Sequence, residues 1–160
     1  MIIEETLERL EWDDVWMHVA RLIGLRSKCV KRSVGAVIVT EDNHPLSVGY
    51  NGPPAAFPAK GPCIDWCERA QQERGGLSYQ NCPSVHAEIN AILFLTERVD
   101  GGTFYVSAFP CWDCAKAIAN LGVNRIHCPS PSSAEIRRRP IGNTLELFKK
   151  SGIEVAYGPR

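Results

Sequence analysis

Apolar residues recur along this chain at two periods. From Trp12 to Leu25 they fall at Val15, Trp16, Val19, Leu22 and Ile23, the spacing of one helix face, and Gly24 loosens the end. Ser33–Thr40 (S-V-G-A-V-I-V-T) is instead a short apolar, β-branched run, the pattern of a strand covered on both faces. Glu41–Pro45 reads as a turn and Leu46–Tyr50 as the returning strand, so the pair predicts a hairpin. Helical spacing returns over Val85–Leu95, with Ile89, Ile92, Leu93 and Leu95 on one face. It recurs over Cys111–Leu121, with Ala115, Ile118, Ala119 and Leu121 inward. Thr103–Ala108, Asn124–Cys128 and Ile153–Tyr157 predict three more strands, and Thr144–Lys150 a last helix.

Strand–helix alternation in the second half implies right-handed crossovers and parallel strands, whereas the opening hairpin is antiparallel. The expected fold is therefore α/β, a mixed sheet of about five strands with helices on both faces. At 160 residues it reads as one domain, 1–160. Two stretches break the alternation. Pro53–Gly76 contains Cys63 and Cys67 and is too long for an idle connection, so a function or a bound ion is expected there, with a short helical turn at Glu68–Arg74. Pro129–Pro140 reads as a loop carrying Arg137-Arg138-Arg139, a basic run that is either solvated or meets a phosphate or a neighbouring subunit.

Composition narrows the function classes. Lys and Arg number 18, as do Asp and Glu, and this balance argues against bulk electrostatic binding of nucleic acid. A small anionic substrate needs only a few local cations and stays open. Met1–Trp12 carries Glu4, Glu5, Glu8 and Glu11 and is not a secretory signal. No stretch approaches the ~18 consecutive apolar residues of a membrane span. Seven cysteines, an odd and sparse set, fit a reducing cytoplasm and thiolate–metal sites better than a disulfide scaffold. His18 reads as a helix-surface or packing residue and His44 as a solvated turn residue.

The candidate chemistry lies in His86-Ala87-Glu88 and Pro110-Cys111-Trp112-Asp113-Cys114. His86, Cys111 and Cys114 can hold Zn²⁺ and leave its fourth position to water, while Glu88 is placed to shuttle protons. Residues at i and i+2 do not share a helix face, so His86 and Glu88 converge only from the frayed start of a helix. Cysteines at i and i+3 do share one. Pro110 suits a helix start, where its missing N–H costs nothing, and the helix N-terminus is expected to present both cysteines as thiolates. Either half alone also fits buried core groups or, for C-x-x-C, a structural zinc or redox pair. Together they form H-x-E…P-C-x-x-C, the pattern of zinc-dependent nucleobase deaminases.

On these residues the chain resembles the cytidine deaminase superfamily and, within it, the deoxycytidylate (dCMP) deaminases. Four segments between Ser27 and Tyr157 carry the likeness: Ser27-Lys28-Cys29 with Val34–Val39; Gly49-Tyr50-Asn51-Gly52-Pro53; His86–Ile92; and Tyr105–Ser107 through Cys111, Cys114 and Gly122-Val123. The resemblance implies a three-layer α/β/α sandwich and hydrolysis of dCMP to dUMP and ammonia, which supplies the dTMP precursor. It also implies a homo-oligomer, often a hexamer, and dCTP and dTTP with Mg²⁺ as allosteric effectors. In such a site zinc brings the pKa of water to about 7, hydroxide attacks C4, and Glu88 carries protons to N3 and the leaving amine.

The remaining candidates keep two readings each. Asn51 either holds the sugar, since an amide donates and accepts at once, or is a turn residue. The resemblance also links Tyr50, Asn51 and Gly52 to an effector nucleotide. Lys28, Lys31 and Arg32 are the nearest cations for a substrate phosphate, or are solvated charges. By resemblance, Cys29, Cys63, Cys67 and Cys82 are candidates for a second, structural zinc that pins the long loop to the first strand. Two spacings, Cys63–Cys67 and Cys82–His86, are tighter than the usual ones, and Pro62 and Asn81 stand where histidines are common. Four unconnected thiols are the other reading. Cys128 reads as a core thiol. Two rival functions are a deaminase of another base or nucleoside (tRNA adenosine, free cytidine) and a zinc-stabilised binding module without turnover. Balanced charge weighs against the tRNA enzyme, and a pure scaffold has no need of Glu88.

Overall fold

The computed structural model describes residues 9–72 and 81–159. Helix α1 (Trp12–Gly24) is followed by β1 (Gly35–Val39), β2 (Pro45–Tyr50), a 3-10 turn at Cys63–Asp65, and the short α2 (Glu68–Gln71). Then come α3 (Ala87–Leu93), β3 (Thr103–Val106), α4 (Trp112–Ala119), β4 (Arg125–Pro129), α5 (Ser133–Arg138), α6 (Ile141–Lys150) and β5 (Glu154–Gly158). The five strands lie in the order β2-β1-β3-β4-β5. β1 is antiparallel to both β2 and β3, and β3, β4 and β5 run parallel, as the hairpin and the strand–helix alternation require.

Alternation along the strands splits the core in two. Val37, Val39 and Tyr105 face α1 through Trp16, Met17 and Ala20. Ala36, Ile38, Phe104, Val106 and Ile126 face the other way and pack with Ala87 and Ala91 of α3, Ala115 and Ile118 of α4, and Phe148 of α6. The sheet is thus covered on both sides, in three layers. β1 is buried at every position, which explains its unbroken apolar run. No described helix is long and apolar enough to cross a membrane.

On the α1 face, Asp13 takes two bonds from Arg125, at 2.7 and 2.6 Å, and one at 2.7 Å from the Tyr105 hydroxyl. The guanidinium holds the Asp13 carboxyl down to about 2. On the opposite face β2 meets α3 almost backbone to backbone. Ser47 Oγ donates to the Ala91 carbonyl at 2.6 Å. A β-carbon on Gly49 would overlap the Ala87 carbonyl oxygen and the Ala91 nitrogen.

The sequence pattern misplaces some details. The stretch Pro129–Pro140 is not all loop, because α5 lies within it. Ser132 caps α5 by accepting from the Glu135 N–H at 3.2 Å, and Glu135 Oε2 accepts in return from the Ser132 N–H at 2.8 Å. α6 begins at Ile141 rather than Thr144, and Thr144 is buried. The buried stripe of α1 is Trp16, Met17, Ala20 and Gly24, so Leu22 is left exposed. Leu93, expected on the apolar face of α3, is also exposed. The turn expected at Glu68–Arg74 is α2 as far as Gln71, and Arg74 lies outside the described residues. His18 and His44 are both exposed.

Candidate metal centre and active site

Two helix starts meet to make the site. His86 is the N-cap of α3 and Cys111 the N-cap of α4, both extended in backbone (φ −69°, ψ 153° and φ −77°, ψ 168°). Pro110 therefore precedes the cap and is not the first helical residue. The caps project their side chains across the helix ends, and Cys114 follows from within the first turn of α4. His86 Nδ1 lies 3.3 Å from Cys114 Sγ and 3.5 Å from Cys111 Sγ, and the three ligand atoms all fall within 4.8 Å of one another. A tetrahedral zinc bound at ordinary N and S distances would set each N···S separation at about 3.6 Å. The donor set and its geometry fit that ion.

Glu88 enters this centre from the first turn of α3 and is only 4% exposed. Burial raises its carboxyl above the ordinary range, which suits a group that takes up and returns a proton. The hydrogen bond with Cys111 raises His86. The hydrogen bond between the two cysteines lowers Cys111 to about 4 and pushes Cys114 up.

One cavity joins this centre to most of the other candidates. Asn51, Gly52, Lys28, Lys31 and Arg32 line it, together with Arg69 and Arg139. Asn51 is buried, and its amide holds the backbone ahead of β1: Nδ2 donates to the Arg32 carbonyl at 3.0 Å and Oδ1 accepts from the Val34 N–H at 2.9 Å. One hydrogen and one lone pair of that amide remain beyond these two bonds. Gly52 pairs with Val85, the residue before the metal-ligand cap, at 3.1 and 2.8 Å. Tyr50 is exposed and does not line the cavity; its carbonyl accepts from Asn90 at 2.7 Å. Lys31 Nζ donates to the Gln72 carbonyl at 2.8 Å, and Arg32 pairs with Glu135 at 2.8 Å.

The four spare thiols line the same cavity. Cys63 and Cys67 are buried and pack with Cys29 and Cys82. Cys67 and Cys82 stand 3.9 Å apart, and Cys63 Sγ accepts from the Val30 N–H at 3.2 Å. Burial pushes the Cys63 and Cys82 thiols up. Among the described residues only His86, Cys111 and Cys114 bring three ligand atoms within 4.8 Å, so the second group is looser. Cys128 is fully buried and its thiol is pushed up to about 12, as a core thiol should be. Arg139 ends the basic run Arg137–Arg139, for which a phosphate contact is one of the readings, and it lines the cavity; the sequence pattern makes the helix leading to it a loop, although Ser132-x-x-Glu135 is the capping box that starts it.

The cytidine and deoxycytidylate deaminase zinc-binding region matches residues 10–129. A deoxycytidylate deaminase of Mycobacterium phage D29 is 36% identical over 132 residues, covering 79% of this chain and 100% of its own. A deaminase encoded near luxG in Aliivibrio fischeri is 31% identical over 151 residues, covering 93% and 95%. The crystal structure of the dCMP deaminase from cyanophage S-TIM5, in complex with dCMP and dUMP, superposes with a TM-score of 0.71 at 27% identity, over 94% of this chain and 99% of that one.

Proposed function

The chain belongs to the cytidine and deoxycytidylate deaminase family, and from that premise we propose that it hydrolyses dCMP to dUMP and ammonia. The observation that carries this reading is the buried Glu88 beside a zinc-competent His86–Cys111–Cys114 set, in a cavity whose wall is rich in cations. Zinc held by those three residues supplies the Lewis acidity that makes water a nucleophile at neutral pH. Glu88 accepts the proton of the attacking water and passes it to N3 of the ring. Once the C4–O bond has formed, Glu88 takes the proton of the C4 hydroxyl and gives it to the exocyclic amine, so that C4 becomes a carbonyl. The C4–N bond breaks and ammonia leaves. Burial keeps competing water off the Glu88 carboxyl and its affinity for a proton high, which serves both transfers.

Asn51, with the part of its amide not used by the backbone, is the residue for a sugar hydroxyl, and Lys28, Lys31 and Arg32 serve the phosphate. Tyr50 and Gly52 are read with Asn51 as an effector contact for dCTP or dTTP with Mg²⁺. Cys29, Cys63, Cys67 and Cys82 are read as ligands of a second, structural zinc; their packing into one cluster supports this. Residues 1–160 are read as one deaminase domain that acts in the cytoplasm as a homo-oligomer, a hexamer by resemblance. It supplies the dTMP precursor and has neither nucleic-acid nor membrane partners.

Ammonia release from zinc-loaded protein tests the reading, with dCMP, CMP, deoxycytidine and adenosine as substrates, each with and without dCTP–Mg²⁺ and dTTP–Mg²⁺. Turnover of dCMP well above deoxycytidine is expected. Preference for deoxycytidine or adenosine would move the protein to another branch, and no turnover of any base would favour a binding module.

A further inference from the structure

The second group of ligand candidates consists of thiols alone, since Pro62 and Asn81 stand where histidines are common. A set that includes histidine can only hold a metal, whereas a set of thiols can also close on itself by oxidation. Cys67 and Cys82 are already in contact, sulfur to sulfur at 3.9 Å. A disulfide bond is about 2 Å long, so the two sulfurs have roughly as far again to travel.

Both side chains have the freedom to make that move. Cys67 stands at the start of α2 with an extended backbone (φ −112°, ψ 110°), and its side chain makes no capping hydrogen bond. Cys82 lies outside every helix and strand, directly before Pro83, which favours an extended backbone there too. Neither belongs to the two clusters that cover the sheet; they pack instead with Ala70 and Trp66 in the small third one. Cys63 is differently placed, because its sulfur accepts from the Val30 N–H at 3.2 Å. Cys67 and Cys82 both line the cavity, and Cys82 is the less buried of the two, so a small oxidant reaches it first.

A bond between them would join α2, whose Arg69 lines the cavity, to the segment that runs through Val85 to His86. A metal on the four thiols would tie the same two segments. The two staples exclude one another, since the bond consumes two of the four donors. A partly exposed disulfide carried by loops is of the labile kind, open at the glutathione poise of a reducing compartment and closed under oxidative load.

We propose that Cys67 and Cys82 are a reversible thiol-oxidation site: hydrogen peroxide closes them into an intrachain disulfide that replaces a metal as the staple of the long insert. The Cys82 sulfur attacks one peroxide oxygen and the O–O bond breaks, leaving the Cys82 sulfenic acid and one water. The Cys67 sulfur then attacks the Cys82 sulfur, the S–O bond breaks, and the hydroxyl leaves as a second water. Each water takes up the proton that one thiol gives up, so two sulfurs are oxidised as one peroxide is reduced. The proposal rests on the second-zinc reading only for the metal displaced.

The test treats the reduced, zinc-loaded chain with stoichiometric hydrogen peroxide beside a chromogenic zinc chelator and maps the products by non-reducing peptide mass spectrometry. The chief product should be the Cys67–Cys82 cross-link, with both thiols lost, about one zinc released per link and full reversal by dithiothreitol. Cys29→Ser removes a donor but neither partner and should still form the link, whereas Cys82→Ser should not. The linked chain should unfold about 5–10 °C above the reduced chain exposed to the same chelator. A chief product at Cys111–Cys114 or Cys29–Cys63, a link between chains, or sulfinic acid without a link would overturn the proposal. So would a link that leaves Tm unmoved, since it would staple nothing. Should the chain hold one zinc before the peroxide is added, the second-zinc reading fails, and the peptide map and Tm still decide the thiol couple.

Discussion

His86, Cys111 and Cys114 stand on two helix starts packed against the sheet, whereas Cys29, Cys63, Cys67 and Cys82 come from three separate segments beside it. His86 and Cys111 of the first group and all four of the second line one cavity. The first is drawn in to zinc-ligand spacing by elements that the apolar core already fixes: Ala87 and Ala91 behind His86, Ala115 and Ile118 behind the cysteines. The second rests on a small satellite cluster with Ala70 and Trp66, and its sulfurs lie farther apart. Preorganisation of ligands thus follows from what stands behind them. Where the core positions the side chains, the metal finds its site. Where loops carry them, a metal would have to help build its own site.

Four substitutions test that contrast, from the greatest effect to the least. Cys114→Ser should abolish both the catalytic zinc and deamination, read by metal analysis and ammonia release; a zinc-replete, active variant would remove this cluster from the chemistry. Glu88→Gln should cut kcat by about 10²–10⁴ while zinc stays bound, since it removes the proton carrier and no ligand. Cys67→Ser should lower bound zinc by about one per chain and reduce Tm, yet keep most of the turnover. If catalysis vanished as fully as in Cys114→Ser, the two clusters would be one functional unit. Cys128→Ala serves as the control cysteine from neither group. It should cost about 1 kcal/mol in denaturant unfolding and leave the zinc content unchanged.

The central site was legible because its information is local. Two short motifs each open a helix, and cap geometry alone aims His86 and Cys111 at one point. The five strands and their directions were legible because burial on both faces leaves an apolar run and crossovers leave an alternation. What was missed depends on partners distant in the chain. Arg32 and the Arg137–Arg139 run were both legible as candidate phosphate contacts, but α5, which brings Arg139 to the cavity, was hidden by prolines and charges, and Arg32 lies over a hundred residues upstream. Tyr50 was grouped with Asn51 and Gly52, yet strand alternation sends it outward. Asn51 was read for either ligand or turn, whereas half of its amide's hydrogen-bonding capacity ties the approach to β1. Leu22 and Leu93 satisfied a helical period but stand on the outer side, because apolar spacing does not say where the sheet lies.

The contact between Gly49 and α3 bears on how a mutational survey of this protein would be read. The room there is smaller than a methyl group, and the helix on the other side carries His86 at its cap and Glu88 in its first turn. Alanine at Gly49 would tilt or lift that helix, moving the metal ligand and the proton carrier together relative to Cys111 and Cys114. Scored by activity alone, a residue on an edge strand that touches neither ion nor substrate would rank with the catalytic ones. The clearance between strand and helix is in effect an inherited manufacturing tolerance, and glycine is the only side chain thin enough to meet it.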